Sequence, residues 1–111
     1  MIYDKYINIM DTLVIINEIV NEKDSKNTVF TVVMEDDWIV IKAYRTLGRL
    51  DHIPHAWVSA LNSNKWNNVP KSTKIDFRYF GPSHDQCDKN SQKWMEDYFG
   101  SNFKMTCVSL G

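Results

Sequence analysis

The stretch "TVFTVVMEDDWIVIKAYR", residues 28–45, decides the fold class of this chain. Its two halves are rich in β-branched and aromatic residues, which favour strands. The acidic residues "EDD" between the halves favour a turn, because short polar side chains are common where a hairpin reverses direction. The stretch therefore predicts an antiparallel β-hairpin over Thr28 to Arg45, and the remaining elements are placed around it.

The segment before the hairpin has the pattern of a helix. From Ile2 to about Glu22, apolar residues recur at steps of three and four, which is the spacing of one helical face. The main row consists of Ile2, Tyr6, Ile9, Leu13, Ile16 and Val20. A second row consists of Tyr3, Ile7, Met10 and Val14. We therefore expect a long first helix that is either covered on two sides or leaves apolar surface free.

The segment after the hairpin predicts a helix, a loop and a strand. Asp51 to about Ser63 has an amphipathic pattern, with Asp51 as its cap and Pro54 in the first turn, where a missing N–H is tolerated. The polar stretch "NSNKWNNVPKS", residues 62–72, predicts a loop. "TKIDFRYF", residues 73–80, predicts a third strand, whose alternation places one apolar set on a single face. That set is Ile75, Phe77 and Tyr79.

The last part of the chain predicts a helix and a final strand. Ser83 followed by Gln86 matches a capping box, and Gly100 is a suitable end for the helix that follows. The predicted core side of this helix carries Cys87, Trp94, Met95, Tyr98 and Phe99. "NFKMTCVSL", residues 102–110, predicts the fourth strand.

These elements define the fold class as α+β, in the order α-β-β-α-β-α-β. A chain of 111 residues is long enough for one hydrophobic core, so residues 1–111 are expected to form a single globular domain. The last strand-helix-strand unit predicts parallel pairing of strands three and four, directly or one strand apart. The expected result is a four-stranded mixed sheet with helices packed mainly on one face.

Composition excludes some classes of partner and suggests a compartment. With 43% hydrophobic residues and a formal net charge of −1, the chain is neither a disordered tail nor a polycation, so bulk charge selects neither nucleic acid nor membrane. Charged residues interrupt the apolar N-terminal segment, which therefore resembles neither a signal peptide nor a membrane span. We expect a cytoplasmic protein. Cys87 and Cys107 could pair, but the missing secretory signal favours reduced thiols.

Two short motifs raise the question of a metal site. "HIPH" at residues 52–55 and "HDQC" at residues 84–87 supply two pairs of nitrogen and sulfur ligands, and zinc binds four such ligands in a tetrahedron. The alternative site would consist of His52, His55, His84 and Cys87. Both motifs fall at predicted helix starts, where polar residues act as caps, and no tight Cys-x-x-Cys motif is present. The preferred interpretation is therefore no metal and no cofactor.

The signals for catalysis are weaker still. Ser83 or Cys87 could act as a nucleophile beside a histidine, but no G-x-S-x-G motif surrounds Ser83. Ser83 and His84 lie where a strand ends and a helix begins, so free N–H groups at the helix start could bind an anion. A small metal-dependent or hydrolytic enzyme is the third hypothesis for function, and the expectation is that the chain is not an enzyme.

Nucleic-acid binding is the second hypothesis. Aromatic and basic residues alternate in the second and third predicted strands, and stacking rings beside cations are how proteins hold single strands. The residues concerned are Lys42, Tyr44, Arg45, Arg78 and Tyr79, with Phe80 beside them. The pattern is incomplete, because the chain has three arginines in all and an acidic turn nearby.

Protein binding is the leading hypothesis. Trp66 lies in a polar loop, where a tryptophan either packs against the rest of the domain or stays exposed and available to a binding partner. Asp36 and Asp37 at the hairpin tip, beside Trp38, would offer charge and an aromatic ring to a basic protein. Ten Lys against three Arg, with ten Asn and ten Ile, suggest an A/T-rich bacterial or phage genome. The sequence thus favours a small intracellular inhibitor of another macromolecule, of the toxin-immunity or phage counter-defence type, acting in the cytoplasm or the host cytoplasm.

Overall fold

A computed structural model of the chain describes residues 2–21, 28–45, 60–81 and 89–109, with backbone only for 2–8, 45, 89–91 and 109. The helices and strands are α1 (Ile2–Asn21), β1 (Thr28–Glu35), β2 (Trp38–Arg45), β3 (Lys74–Gly81), α2 (Lys89–Phe99) and β4 (Phe103–Ser109). Short 3-10 helices span Asn64–Asn68 and Gly100–Asn102.

The predicted hairpin is confirmed with the bounds that the sequence indicates. β1 and β2 pair antiparallel from Thr28 opposite Arg45 to Glu35 opposite Trp38. The strands are joined by a two-residue turn in which Asp36 has a φ of 58°. Aspartate tolerates this left-handed conformation better than most residues, because its short side chain bonds locally to the backbone. The acidic turn therefore fixes the hairpin register.

The sheet extends from the hairpin by parallel pairing. Its strand order is β1-β2-β3-β4, with β3 parallel to β2 and β4 parallel to β3. The mixed four-stranded sheet and the direct pairing of strands three and four are confirmed. The fold is a single α+β domain.

The hydrophobic core lies on one face of this sheet. Alternate residues of β2 and β3 are buried there, since side chains of a strand point to opposite faces in turn. The strand residues of this core face are Ile39, Ile41, Ala43, Ile75, Phe77 and Tyr79. The helices add Ile16, Ile19 and Val20 from α1 and Met95 and Phe99 from α2. Both helices thus pack on the same face, as the sequence predicts.

Two predicted helices are only partly described. Most of the helix expected over Asp51 to Ser63 lies outside the described residues, but Ala60 and Leu61 are helical and buried in the core. The capping box expected at Ser83 and Gln86 also lies outside the part of the chain that the structure describes.

The prediction that Trp94 belongs to the core is wrong. Trp94 is 40% exposed and stacks on Tyr98, with ring centroids 4.7 Å apart, whereas Met95 and Phe99 are buried. Successive residues of an α-helix are about 100° apart around its axis, so Trp94 and Met95 cannot both face the core directly. Met95 and Phe99 occupy the core stripe, and Trp94 lies on its flank.

Candidate functional site

The face of the sheet opposite the helices presents a second set of side chains, which we call the open face. It is formed by the alternate residues that do not point into the core, and α1 and α2 both pack on the other side. Its members are Val29, Thr31, Val33 and Glu35 of β1, Trp38, Val40, Lys42 and Tyr44 of β2, Lys74, Asp76, Arg78 and Phe80 of β3, and Lys104, Thr106 and Val108 of β4.

One end of the open face carries a continuous apolar row across all four strands. The register places Val29 opposite Tyr44, Tyr44 opposite Phe80, and Phe80 opposite Val108. The rings of Tyr44 and Phe80 stack at a centroid distance of 4.5 Å and an interplanar angle of 10°. Val29 is 51% exposed, Tyr44 37% and Val108 36%. The apolar row is therefore accessible to solvent along its length.

The middle of the open face carries a charged cluster that is neutralised within the chain. Arg78 Nη2 donates to Asp76 Oδ2 at 2.9 Å and to Glu35 Oε1 at 3.3 Å, and Arg78 Nε donates to Asp76 Oδ2 at 3.2 Å. The hydrogen bonds to Asp76 are the main cause that raises the pKa of Arg78 above its ordinary value. Because its Nε and Nη2 atoms both donate within the chain, the Arg78 guanidinium is held by two carboxylates.

The other end of the open face is organised around Trp38. Lys104 Nζ lies 4.1 Å from the centroid of the Trp38 ring and Lys74 Nζ lies 5.6 Å from it, which is cation–π distance. Lys74 Nζ also donates to Asp37 Oδ2 at 2.9 Å, and this bond lowers the pKa of Asp37. The hairpin tip is thus not a free acidic knob: Asp36 is exposed, whereas Asp37 is paired within the chain.

The expectation that Trp66 is an exposed anchor for a partner is wrong. Trp66 is 0% exposed, its Nε1 donates to the carbonyl of Ala60 at 2.7 Å, and its ring meets Phe99 edge-on at 6.1 Å. The 3-10 turn of Asn64–Asn68, capped by Ser63, directs the indole into the core. Ala60 is six residues before Trp66 and Phe99 is far along the chain, and the polar residues next to Trp66 gave no sign of either contact.

The residues of the nucleic-acid hypothesis divide between the two faces. Lys42, Tyr44 and Arg78 share the open face, but Tyr79 is 1% exposed in the core and cannot stack on a base. Arg45 lies opposite Thr28 in the sheet, and its side chain is not described. The sequence assigned Tyr79 to a binding surface although strand alternation gives that position to its neighbour. Phe80 is that neighbour, and it lies in the apolar row.

The metal and anion alternatives fall mostly outside the described residues. His52, His55, Ser83, His84 and Cys87 all lie there. Within the residues that the structure describes, no group of three or more His, Cys, Asp or Glu could hold a metal ion.

The expectation of reduced thiols is wrong for Cys107, which is disulfide-bonded. The other cysteine of the chain is Cys87. The sequence argument rested on the compartment, whereas disulfide formation also depends on which sulfur atoms the fold brings together. Disulfides are typical of oxidising compartments, so the cytoplasmic location stays a prediction.

Sequence reasoning missed two residues of the apolar row, Val29 and Val108. The sequence did contain an indication, because each of these residues belongs to the same alternating set of strand residues as Tyr44 or Arg78. That signal could be used only once the strand register was known, since the sequence alone does not show which face the helices cover.

No protein-family model matches the chain, and no curated protein or solved structure matches it either. Among the described helices, none is both long enough and apolar enough to cross a membrane. The function must therefore be inferred from the side chains of the open face.

Proposed function

We propose that this protein is a small protein-binding module and that its binding surface is the open face. The observation that carries the proposal is the apolar row of Val29, Tyr44, Phe80 and Val108, which crosses all four strands and is open to solvent. Contiguous exposed apolar surface beside polar residues is a common mark of an interaction site, because exposing it to water without a partner is unfavourable.

The composition of the open face supports a protein as the occupant. Protein interfaces combine an apolar, aromatic centre with a polar rim and are enriched in Tyr, Trp, Phe and Arg. The open face contains Tyr44, Phe80, Trp38 and Arg78, together with lysines near its margin. Because its polar side chains are held by internal bonds, a partner would meet a surface that needs little reordering on binding.

The internal pairing argues against a phosphate backbone as the main occupant. Arg78 is bonded to Asp76 and Glu35, and Lys74 is bonded to Asp37, so two of the cations that a nucleic acid would need are already neutralised. The Tyr44 and Phe80 rings cover one face of each other, which leaves less ring surface for an inserted base.

Within this class, an inhibitor of another macromolecule is the narrower proposal. Its support is the small size of the chain and the placing of the surface on a sheet rather than on loops. A rigid surface loses little conformational entropy when it binds, which favours tight association by a small protein.

The test compares two valines on opposite sides of the molecule. Val108→Glu places a charge in the apolar row, and Val14→Glu places the same charge on α1, where Val14 is 55% exposed. Wild type and both variants would be immobilised and exposed to extract of the source cells, with and without nuclease. We expect a protein that is retained by wild type and by Val14→Glu and is lost from Val108→Glu.

The purified candidate would then be titrated against all three proteins by calorimetry. Val108→Glu should raise the Kd at least about tenfold, equivalent to about 1.4 kcal/mol, while Val14→Glu leaves it unchanged. If Val14→Glu instead abolishes binding and Val108→Glu does not, the binding surface lies on α1 and the proposal is wrong. Matching thermal unfolding curves for the variants would exclude misfolding as the cause.

Single-stranded nucleic acid is the second candidate, because Lys42 and Lys104 share the open face with three aromatic rings. Fluorescent DNA and RNA oligonucleotides would be titrated at low salt with wild type, Lys42→Ala and Phe80→Ala. Affinity that falls steeply with added salt and is weakened by both substitutions would favour this candidate over protein binding. No measurable affinity at low salt would remove it.

A further inference from the structure

The outer edge of β1 has the features of a strand-pairing site. β1 is the terminal strand in the sheet order, and no described strand pairs with its outer edge. Residues that flank a two-residue turn exchange hydrogen bonds, so in this register Glu35 and every second residue before it bond to β2. The backbone N–H and C=O groups of Thr28, Phe30, Val32 and Met34 therefore point away from β2.

Within β1 itself, this edge carries little of the usual protection against pairing. Edge strands commonly carry proline, lysine or a bulge, which oppose the addition of another strand. The sequence of β1, "TVFTVVME", contains neither proline nor lysine, and its pairing with β2 runs without a bulge over eight residues. Val29, Val33 and Met34 are 51%, 42% and 42% exposed.

We propose that β1 pairs antiparallel with β1 of a second copy of this chain, about a twofold axis at Thr31. In this register Thr31 lies opposite Thr31 of the second copy, and Val29 lies opposite Val33. Phe30 then lies opposite Val32. Thr28 is 2% exposed and is left out of the pairing. Every pair joins β-branched, aromatic or apolar residues, and such cross-strand pairs are the favourable ones.

The strand geometry excludes most other registers. Residues that lie directly opposite each other in an antiparallel pair point to the same face of the sheet. A shifted register must therefore still pair residues of the core face with each other and residues of the open face with each other. A shift of the axis to Val32 places Val29 opposite Glu35, which sets a carboxylate against an apolar side chain. A shift to Phe30 leaves Val33 and Met34 without a partner in β1. The axis at Thr31 pairs Val29 with the apolar Val33, sets no carboxylate against an apolar side chain and opposes no like charges.

The dimer would join two four-stranded sheets into one continuous sheet. The twofold axis stands perpendicular to the sheet, so the open faces of both copies lie on the same side and the helices on the other. This arrangement needs only a second copy of the chain, so its test is independent of the partner sought for the open face.

A matched pair of edge threonines tests the proposal. Thr31 and Thr106 are both exposed and lie in the same row of the open face, Thr31 on β1 and Thr106 on β4 at the opposite edge. Thr31→Lys would place two lysines opposite each other at the axis, where like charges repel. Thr106→Lys adds the same charge away from the axis.

Sedimentation velocity over the micromolar range would measure the dimer in all three proteins. We expect wild type and Thr106→Lys to dimerise with similar Kd values, and Thr31→Lys to raise the Kd at least tenfold with an unchanged circular dichroism spectrum and Tm. A wild-type protein that is monomeric over the whole range overturns the proposal. So does a Thr31→Lys protein that dimerises as strongly as Thr106→Lys.

A cross-linking experiment would test the register itself. Directly opposed residues in a non-hydrogen-bonded pair have Cα atoms about 4.5 Å apart, within the range that a disulfide can bridge. Under mild oxidation, loss of one hydrogen from each of two Thr31→Cys thiols to the oxidant should give a covalent dimer, visible on a non-reducing gel. Val33→Cys, which faces Val29 of the second copy, should cross-link far less. Equal cross-linking of the two variants would show that the register is wrong.

Discussion

The two faces of the sheet are built from the same strands but are stabilised in different ways. The core face is covered by α1, α2 and the buried Trp66, which exclude water from Ile41 and Phe77. Among the described residues, the contacts on the open face are those between its own side chains, in the Arg78 cluster and the stacked rings of the apolar row. Because neighbouring residues of one strand point to opposite faces, one can maintain the fold while the next remains available for binding.

The open face is not exposed at every position. Val40 lies on the open face and is 0% exposed, and Asp76 beside it is 9% exposed. Val40 lies opposite Asp76, and Asp76 is bonded to Arg78. The open face therefore has a small buried centre of its own, which keeps the surrounding polar groups in fixed positions.

The largest expected effect is a loss of folding stability when a residue of the core is truncated. Trp66→Ala should lower the free energy of unfolding by about 3–5 kcal/mol, because it removes a large buried ring and leaves the Ala60 carbonyl without its donor. Trp94→Ala is the matched control, with an expected loss under about 1 kcal/mol because its ring is partly exposed. Denaturant unfolding of both variants measures these values. Equal losses would mean that the assignment of the two tryptophans is wrong.

A smaller effect tests the buried centre of the open face. Val40 and Val33 are paired across adjacent strands in the same row, but Val33 is 42% exposed. Val40→Ala should cost about 1–2 kcal/mol in unfolding free energy, since it removes buried methyl groups and leaves a space. Val33→Ala should change stability by no more than about 0.5 kcal/mol. If the two losses are the same, the open face has no buried centre.

The smallest effect concerns the hairpin tip and depends on pH. The pKa of Asp37 is lowered from 3.8 by its hydrogen bond from Lys74, so the bond favours the folded state when Asp37 is ionised. That contribution is fully present above the unfolded pKa and is lost as the pH falls through the lower folded pKa. Asp37→Asn should therefore be slightly less stable than wild type at neutral pH, and the difference should vanish in strong acid. A difference that persists in strong acid would contradict this cause.

The sequence predicted the elements whose signals are local. The hairpin from Thr28 to Arg45 was found with those bounds, because both its strand pattern and its turn are contained in the same eighteen residues. The face shared by Ile75, Phe77 and Tyr79 was correct for the same reason. Alternation also separates Arg78 from Tyr79, so the two residues could not share one binding surface, and Tyr79 lies in the core.

The incorrect predictions depend on tertiary packing, which the local sequence pattern does not show. Trp66 is buried through Ala60 and Phe99, and nothing in its polar neighbourhood indicates either contact. Trp94 and Met95 are adjacent, and only the packing of α2 decides which of them enters the core. The state of Cys107 depends on the position of another sulfur atom, which composition does not determine.

The mixed pairing of the sheet has a consequence for the order of folding. β1 and β2 are joined by a two-residue turn, and hairpins of this kind form in about 1–10 μs. The parallel ladders must instead bring Trp38 to Lys74 and Ile75 to Phe103, which are far apart in the sequence, so they form more slowly. During synthesis from the N-terminus, the hairpin is complete before β3 has been made, and the second edge of β2 is then uncovered. The newly made chain is most prone to aggregation in that interval, at a strand that the finished protein buries in the middle of its sheet.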